Sequence, residues 1–150
     1  MTERQAWLRI LALAPLAQLA QGVSELAPLP PFAYLRGPEI GLAMVRGRTG
    51  GDGTPFNLGE MTVTRCTLRV SVSDTDERDG FACVAGRSAR QAELVALCDA
   101  LLQSARWRAA VFERVIVPAE GFLAEKRARN AQRRAATKAE FVTVVRSGEA

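Results

Sequence analysis

The sequence predicts an α+β domain, with N-terminal helices, an antiparallel sheet of three or more strands, and C-terminal helices. Three observations predict it. Apolar residues recur at helical spacing near the start (Trp7, Ile10, Leu11, Ala14) and again after the middle (Leu94, Val95, Cys98, Leu101, Leu102). Between these stretches the apolar period is two, clearest in Cys66, Leu68, Val70 and Val72. The strand-like segments follow one another through short turns without an intervening helix, the spacing of a meander.

Thr2-Glu3-Arg4-Gln5 reads as a capping box that opens a helix to about Leu13. Pro15 ends that helix and suits the first turn of a second, to about Val23, so residues 2–23 are helical. Ala27-Pro28-Leu29-Pro30-Pro31 is a rigid extended connector. The sheet is expected over 39–86. Glu39 to Arg48 forms one strand, with Ile40, Leu42, Met44, Arg46 and Arg48 on one face. Thr49 to Pro55 is a hairpin loop. Met61 to Val72 is a long strand with Arg65, Thr67, Arg69 and Ser71 opposite its apolar face. Asp74 to Gly80 reads as an acidic turn, and Phe81 to Ala85 as the next strand. Ser88-Ala89-Arg90-Gln91 is a second capping box that opens a helical region over 88–138, whose end, from Pro118 onward, carries Lys126, Arg127, Arg129, Arg133, Arg134 and Lys138. Phe141 to Val145 reads as a terminal strand or arm within 140–146.

With 150 residues and 48% hydrophobic content, the chain is expected to form a single domain. It contains no histidine, which excludes Ser-His-Asp and Cys-His nucleophilic sites and His-ligated metals. Cys66, Cys83 and Cys98 are scattered, with no C-x-x-C. This suits buried thiols in a reducing cytoplasm and argues against a zinc or iron–sulfur site held by this chain alone. No run of 18 apolar residues exists, so no transmembrane span is expected.

The chemistry-bearing feature is arginine on β-structure. A guanidinium in a strand must stay wet or find an anion. Arg46, Arg48, Arg65, Arg69 and Arg87 are therefore candidates for binding an anion or an acidic partner. Arg65 and Arg69 share a strand face and suit adjacent anionic oxygens or, alternatively, salt bridges within the sheet. Glu39 and Glu60 are candidate general bases, or simply partners for neighbouring arginines. The loop from Gly47 to Gly53 lacks the Gly-Lys-Ser/Thr ending of a phosphate-binding loop and does not feed a helix. The basic helix 119–138 suits a nucleic acid backbone, but Phe122 is its one aromatic, and a solvated face or an acidic protein partner is the competing reading.

Three blocks, RGPEIGLAMVRGR at 36–48, PFNLGEMTVTRC at 55–66 and VAGRSARQAEL at 84–94, resemble the G subunit of the bacterial carbon–phosphorus lyase system, the PhnG family. The resemblance runs from Arg4 to Phe141; the acidic turn at 74–79 and the charges of the C-terminal helix stand outside it. It implies a subunit that works with the H, I and J subunits and their ATP-binding-cassette-like proteins in phosphonate catabolism. That complex transfers a phosphonate to the ribose C1 of ATP with release of adenine. The resemblance implies ATP and Mg as substrate and ion of the complex, no cofactor bound by this chain alone, and catalytic residues on partner subunits. No nucleic acid or membrane partner is expected. The rivals are a nucleic-acid-binding protein using helix 119–138 or the two N-terminal helices, and a small hydrolase using Glu60.

Overall fold

The computed structural model describes residues 1–137. The order is α1 (Glu3–Leu13), α2 (Leu16–Ser24), β1 (Phe32–Arg48), β2 (Pro55–Ser73), β3 (Asp76–Ala85), α3 (Ala89–Leu102), α4 (Ala105–Val111) and α5 (Val117–Ala136). A π-helical turn, Phe112–Ile116, joins α4 to α5. The three strands form one antiparallel sheet in the order β1-β2-β3, as the meander spacing requires. The expected strand or arm at 140–146 and Lys138 lie outside the described residues.

The caps act as the sequence predicts at one end and differently at the other. Thr2 and Gln5 form a reciprocal box at the start of α1. At α3 the Ser88 hydroxyl accepts from the Gln91 backbone N–H. The Gln91 side chain, however, donates to the carbonyl of Ala14 at 3.1 Å, tying α3 to the α1–α2 junction instead of closing a box.

All three strands are longer than expected. β1 begins at Phe32, seven residues before Glu39, and β2 begins at Pro55. The acidic segment at 74–80 is mostly strand: β3 starts at Asp76, and only a tight turn at Asp74-Thr75 remains. Cross-strand ion pairing explains this. Arg69 lies opposite Asp79, and its Nε and Nη2 donate to the two Asp79 carboxylate oxygens at 2.6 and 2.9 Å, so the charges support pairing instead of breaking it.

The core lies between one sheet face and the helices. Cys66, Leu68 and Val70 of β2, with Ala82 and Val84 of β3, pack under α3. α3 is buried nearly all round, from Leu94 to Leu102, and not merely along the stripe its periodicity shows. α1, α2 and α4 cover its outer side through Trp7, Leu11, Leu19, Val23 and Val111. The β3–α3 approach is close enough to require Gly80: a Cβ there would sit 1.9 Å from the Ala96 carbonyl oxygen.

One charge is buried within this packing. Asp99 is fully enclosed and accepts four hydrogen bonds. Arg4 Nε and Nη2 donate at 3.1 and 2.6 Å, Trp7 Nε1 at 2.9 Å and the Phe81 backbone N–H at 3.0 Å. The carboxylate thus joins α1, β3 and α3 and occupies the outer edge of β3, which would otherwise stand open.

Candidate subunit interface

The sheet is longer than its cover. β3 pairs with β2 only from Val63 onward toward Ser73, and α3 starts beside the same level, where Gly86 donates to the Thr62 carbonyl and Thr64 Oγ1 to the Gly86 carbonyl oxygen. Beyond that level the outer halves of β1 and β2 continue as a two-stranded ribbon. The eight residues from Pro55 to Thr62 reach roughly 25 Å at the usual strand rise. The tip turns through Thr49–Gly51, with Gly50 and Gly51 at φ +67° and +98°, values that glycine alone adopts readily.

Directly opposed residues share a face. Ile40 faces Thr64, Leu42 faces Thr62 and Met44 faces Glu60. These continue the core face of the sheet past the end of α3, and all three large apolar side chains are exposed. Arg46, opposite Asn57, and Arg48, opposite Pro55, extend this face toward the tip. The other face carries Ala43 opposite Met61, and Gly47 opposite Phe56. The Phe56 ring lies over Gly47, 3.5 Å from where a Cβ would stand. A register shift at Val45/Arg46 leaves Leu58 unpaired and exposed. The ribbon is therefore apolar on both faces, with no layer of this chain's described residues on either.

The arginines predicted from sequence do not converge. Arg46 and Arg48 lie on the core-side face near the tip, and Arg48 Nη1 donates to the Gly53 carbonyl at 3.0 Å. Arg65 and Arg69 lie on the opposite face, with Arg65 beside Glu39 across the strands. Arg87 is exposed in the turn between β3 and α3. Arg69 is engaged by Asp79 and, at 3.7 Å, by Glu77. That hydrogen-bonded pairing holds the Asp79 carboxyl below its ordinary range and raises the Arg69 guanidinium. Arg65, Arg46 and Arg87 have no carboxylate partner among the described residues. Glu39 pairs with Arg36 at 3.2 Å, and Glu60 stands exposed on the ribbon beside Met44.

Among the described residues no three His, Cys, Asp or Glu side chains gather as metal ligands. Burial pushes the Cys98 thiol up to about 12 and raises that of Cys66, so neither is a ready thiolate. A cleft of about 750 Å³ between α2 and the start of α5 is lined by Gln18, Gln21, Glu25, Glu113 and Arg114, none of them among the predicted site residues. Among the described residues no single helix is long and apolar enough to cross a membrane.

Two features were missed in the sequence. Asp99 stands within an otherwise apolar helix stripe, which signals a buried charge, but its donors come from three residues on distant segments. The double-sided character of the ribbon is written in Phe56, Leu58 and Met61 flanking the glycine loop, opposite Ile40, Leu42 and Met44. Recognising it also needed the length of α3 relative to the strands.

A helix-backed sheet that leaves an apolar ribbon exposed on both faces has the surface of a domain that associates with other proteins. Residues 2–147 match the family model described as "Phosphonate metabolism protein PhnG". A relative from Rhizobium meliloti (strain 1021), "Alpha-D-ribose 1-methylphosphonate 5-triphosphate synthase subunit PhnG", is 42% identical over 144 residues, covering 96% of this chain and 89% of the relative. The chain belongs to the PhnG family.

Proposed function

We propose that this chain is a subunit of an α-D-ribose 1-methylphosphonate 5-triphosphate synthase, working in organophosphonate catabolism. Its family membership and its relative's role support this reading. In that reaction a phosphonate oxygen bonds to ribose C1 of ATP and the bond from C1 to adenine breaks, leaving the triphosphate in place. The chain's part is to complete the assembly with the H, I and J subunits, alongside the ATP-binding-cassette-like proteins. ATP and Mg are substrate and ion of the whole complex, and the residues that break the glycosidic bond belong to its partners.

The observation that carries the subunit role is the ribbon. A two-stranded ribbon is marginal alone in water, and apolar side chains on both faces gain most when partner surfaces close over both. Insertion would bring Arg46 and Arg48 with it. Arg46, Arg48, Arg65, Arg69 and Arg87 are the positions proposed to meet phosphate oxygens or partner carboxylates, with Glu60 and Glu39 beside them.

The test is co-expression with the H, I and J subunits and the ATP-binding-cassette-like proteins. The chain should elute within the complex, and adenine release from ATP with methylphosphonate should require it. The chain alone should release none. Turnover by the solitary chain, abolished by Glu60→Gln, would overturn the assignment in favour of a free-standing hydrolase.

A further inference from the structure

Helix α5 leaves the body of the protein. Its last buried residue is Leu123, and every described residue from Ala124 to Thr137 is exposed. The thirteen residues of α5 from Ala124 to Ala136 carry the helix roughly 20 Å past its last buried contact. Its sequence sustains it: alanine, arginine, glutamine and lysine are strong helix formers, and Glu125 pairs with Arg129 one turn on, at 3.5 Å.

The charge on this projection is one-sided. Lys126, Arg127, Arg129, Arg133 and Arg134 stand against a single carboxylate, Glu125. That surplus equals the chain's entire formal net charge of +4, so the remainder of the protein is balanced. The placement matters as well as the amount. Ala119 and Leu123 are the buried residues of α5. The same helix face, read onward at i+3, i+4, i+7 and i+11 from Leu123, becomes Lys126, Arg127, Asn130 and Arg134. The docking face of α5 thus changes from apolar to cationic where the body ends.

The remaining positions from 124 to 137 are alanine, asparagine, glutamine and threonine. Among the described residues of the projection no large apolar side chain is present to enter a membrane or a groove, and no aromatic to stack on a base. Only charge is available to hold whatever lies alongside.

We infer that the projecting half of α5 is a second docking surface, seated on an acidic face of another subunit in the same assembly. This rests on the subunit reading above but uses a different element and a different force from the ribbon. The ribbon contact is apolar and tolerates salt. The α5 contact is between charges at a wet surface and weakens as ions screen it.

The experiment uses the full-length chain and its co-purified partner subunits. Association is measured by titration between 50 and 500 mM salt for the wild type, for Arg127→Gln/Arg133→Gln/Arg134→Gln, and for the matching Lys triple. The Gln triple should bind at least about tenfold more weakly at low salt, with a flatter salt dependence, and the Lys triple should bind like the wild type. Unchanged helical circular dichroism would attribute the loss to charge. A Gln triple that binds as tightly as the wild type, with the same salt slope, overturns this inference and leaves the subunit reading intact. Failure of the wild type to associate at all overturns the subunit reading itself. Binding of random duplex DNA as tight as that of the partner subunits, and lost in the Gln triple, overturns the acidic-protein assignment in favour of nucleic acid.

Discussion

Replacing Ile40, Leu42 and Met44 together by threonine tests the ribbon directly. Threonine has the β-branched shape that strands favour, so the ribbon itself should persist. The three side chains are 58%, 57% and 50% exposed in the isolated chain. Burying such a side chain completely is worth about 1.5–3 kcal/mol, and about half remains to be buried, so each stands to contribute about 0.75–1.5 kcal/mol at an interface. Together they give about 2.3–4.5 kcal/mol, or about 40- to 1,600-fold in affinity for the partner subunits. The same triple should change the stability of the isolated chain little, within about 0.5 kcal/mol for each exposed substitution. Calorimetric titration against the partners gives the first quantity and urea unfolding the second. Affinity within threefold of the wild type would refute the reasoning. So would a urea midpoint that falls as it does for core substitutions, because these side chains would then be packed in the free chain.

Asp99→Ala should cost about 3–5 kcal/mol, because it strands the buried Trp7 Nε1–H and the part-buried Phe81 N–H and unpairs Arg4; a loss below about 1 kcal/mol in urea unfolding would contradict the four-bond geometry. Gly80→Ala should be at least as disruptive as ordinary overpacking, about 1–3 kcal/mol, since its Cβ would meet the Ala96 carbonyl oxygen and the Ala100 methyl. The same urea assay checks it, and an unaltered midpoint would show that β3 and α3 sit farther apart. Tyr34 is the chain's one tyrosine, so its phenolate absorbance titrates alone. The hydrogen bond to Glu93 raises its pKa from 10.0 to about 12, and Glu93→Gln should return the midpoint to near 10. The folded pKa lies above the unfolded one, so the stabilisation linked to this proton is complete below pH 10 and is lost as pH rises toward 12. A wild-type midpoint at 10 would mean the bond does not form.

Much of the fold was legible because it rests on local rules. The box at Thr2 and Gln5, the hairpin glycines, the alternation from Cys66 to Val72 and the stripe on α3 each follow from bonding or burial within a few residues. The boundaries were less legible. Asp76 and Asp79 read as turn formers until Arg69 is placed beside Asp79, a pairing that depends on β2–β3 register. The arginines were individually visible, yet alternation along one strand says nothing of convergence between strands. Register puts Arg46 and Arg48 on one face and Arg65 and Arg69 on the other.

By itself the sequence determined the class of fold, the lack of histidine chemistry and the family blocks around the glycine loop, since composition and period survive without knowledge of contacts. Tertiary structure alone decided which apolar residues lack a cover. Leu42 and Leu68 sit on the same face of adjacent strands and look equivalent in sequence, but α3 begins near Thr62, so Leu68 is buried and Leu42 is not. Burial depends on where a neighbouring element begins and ends, and that length relation exists only once the chain has folded.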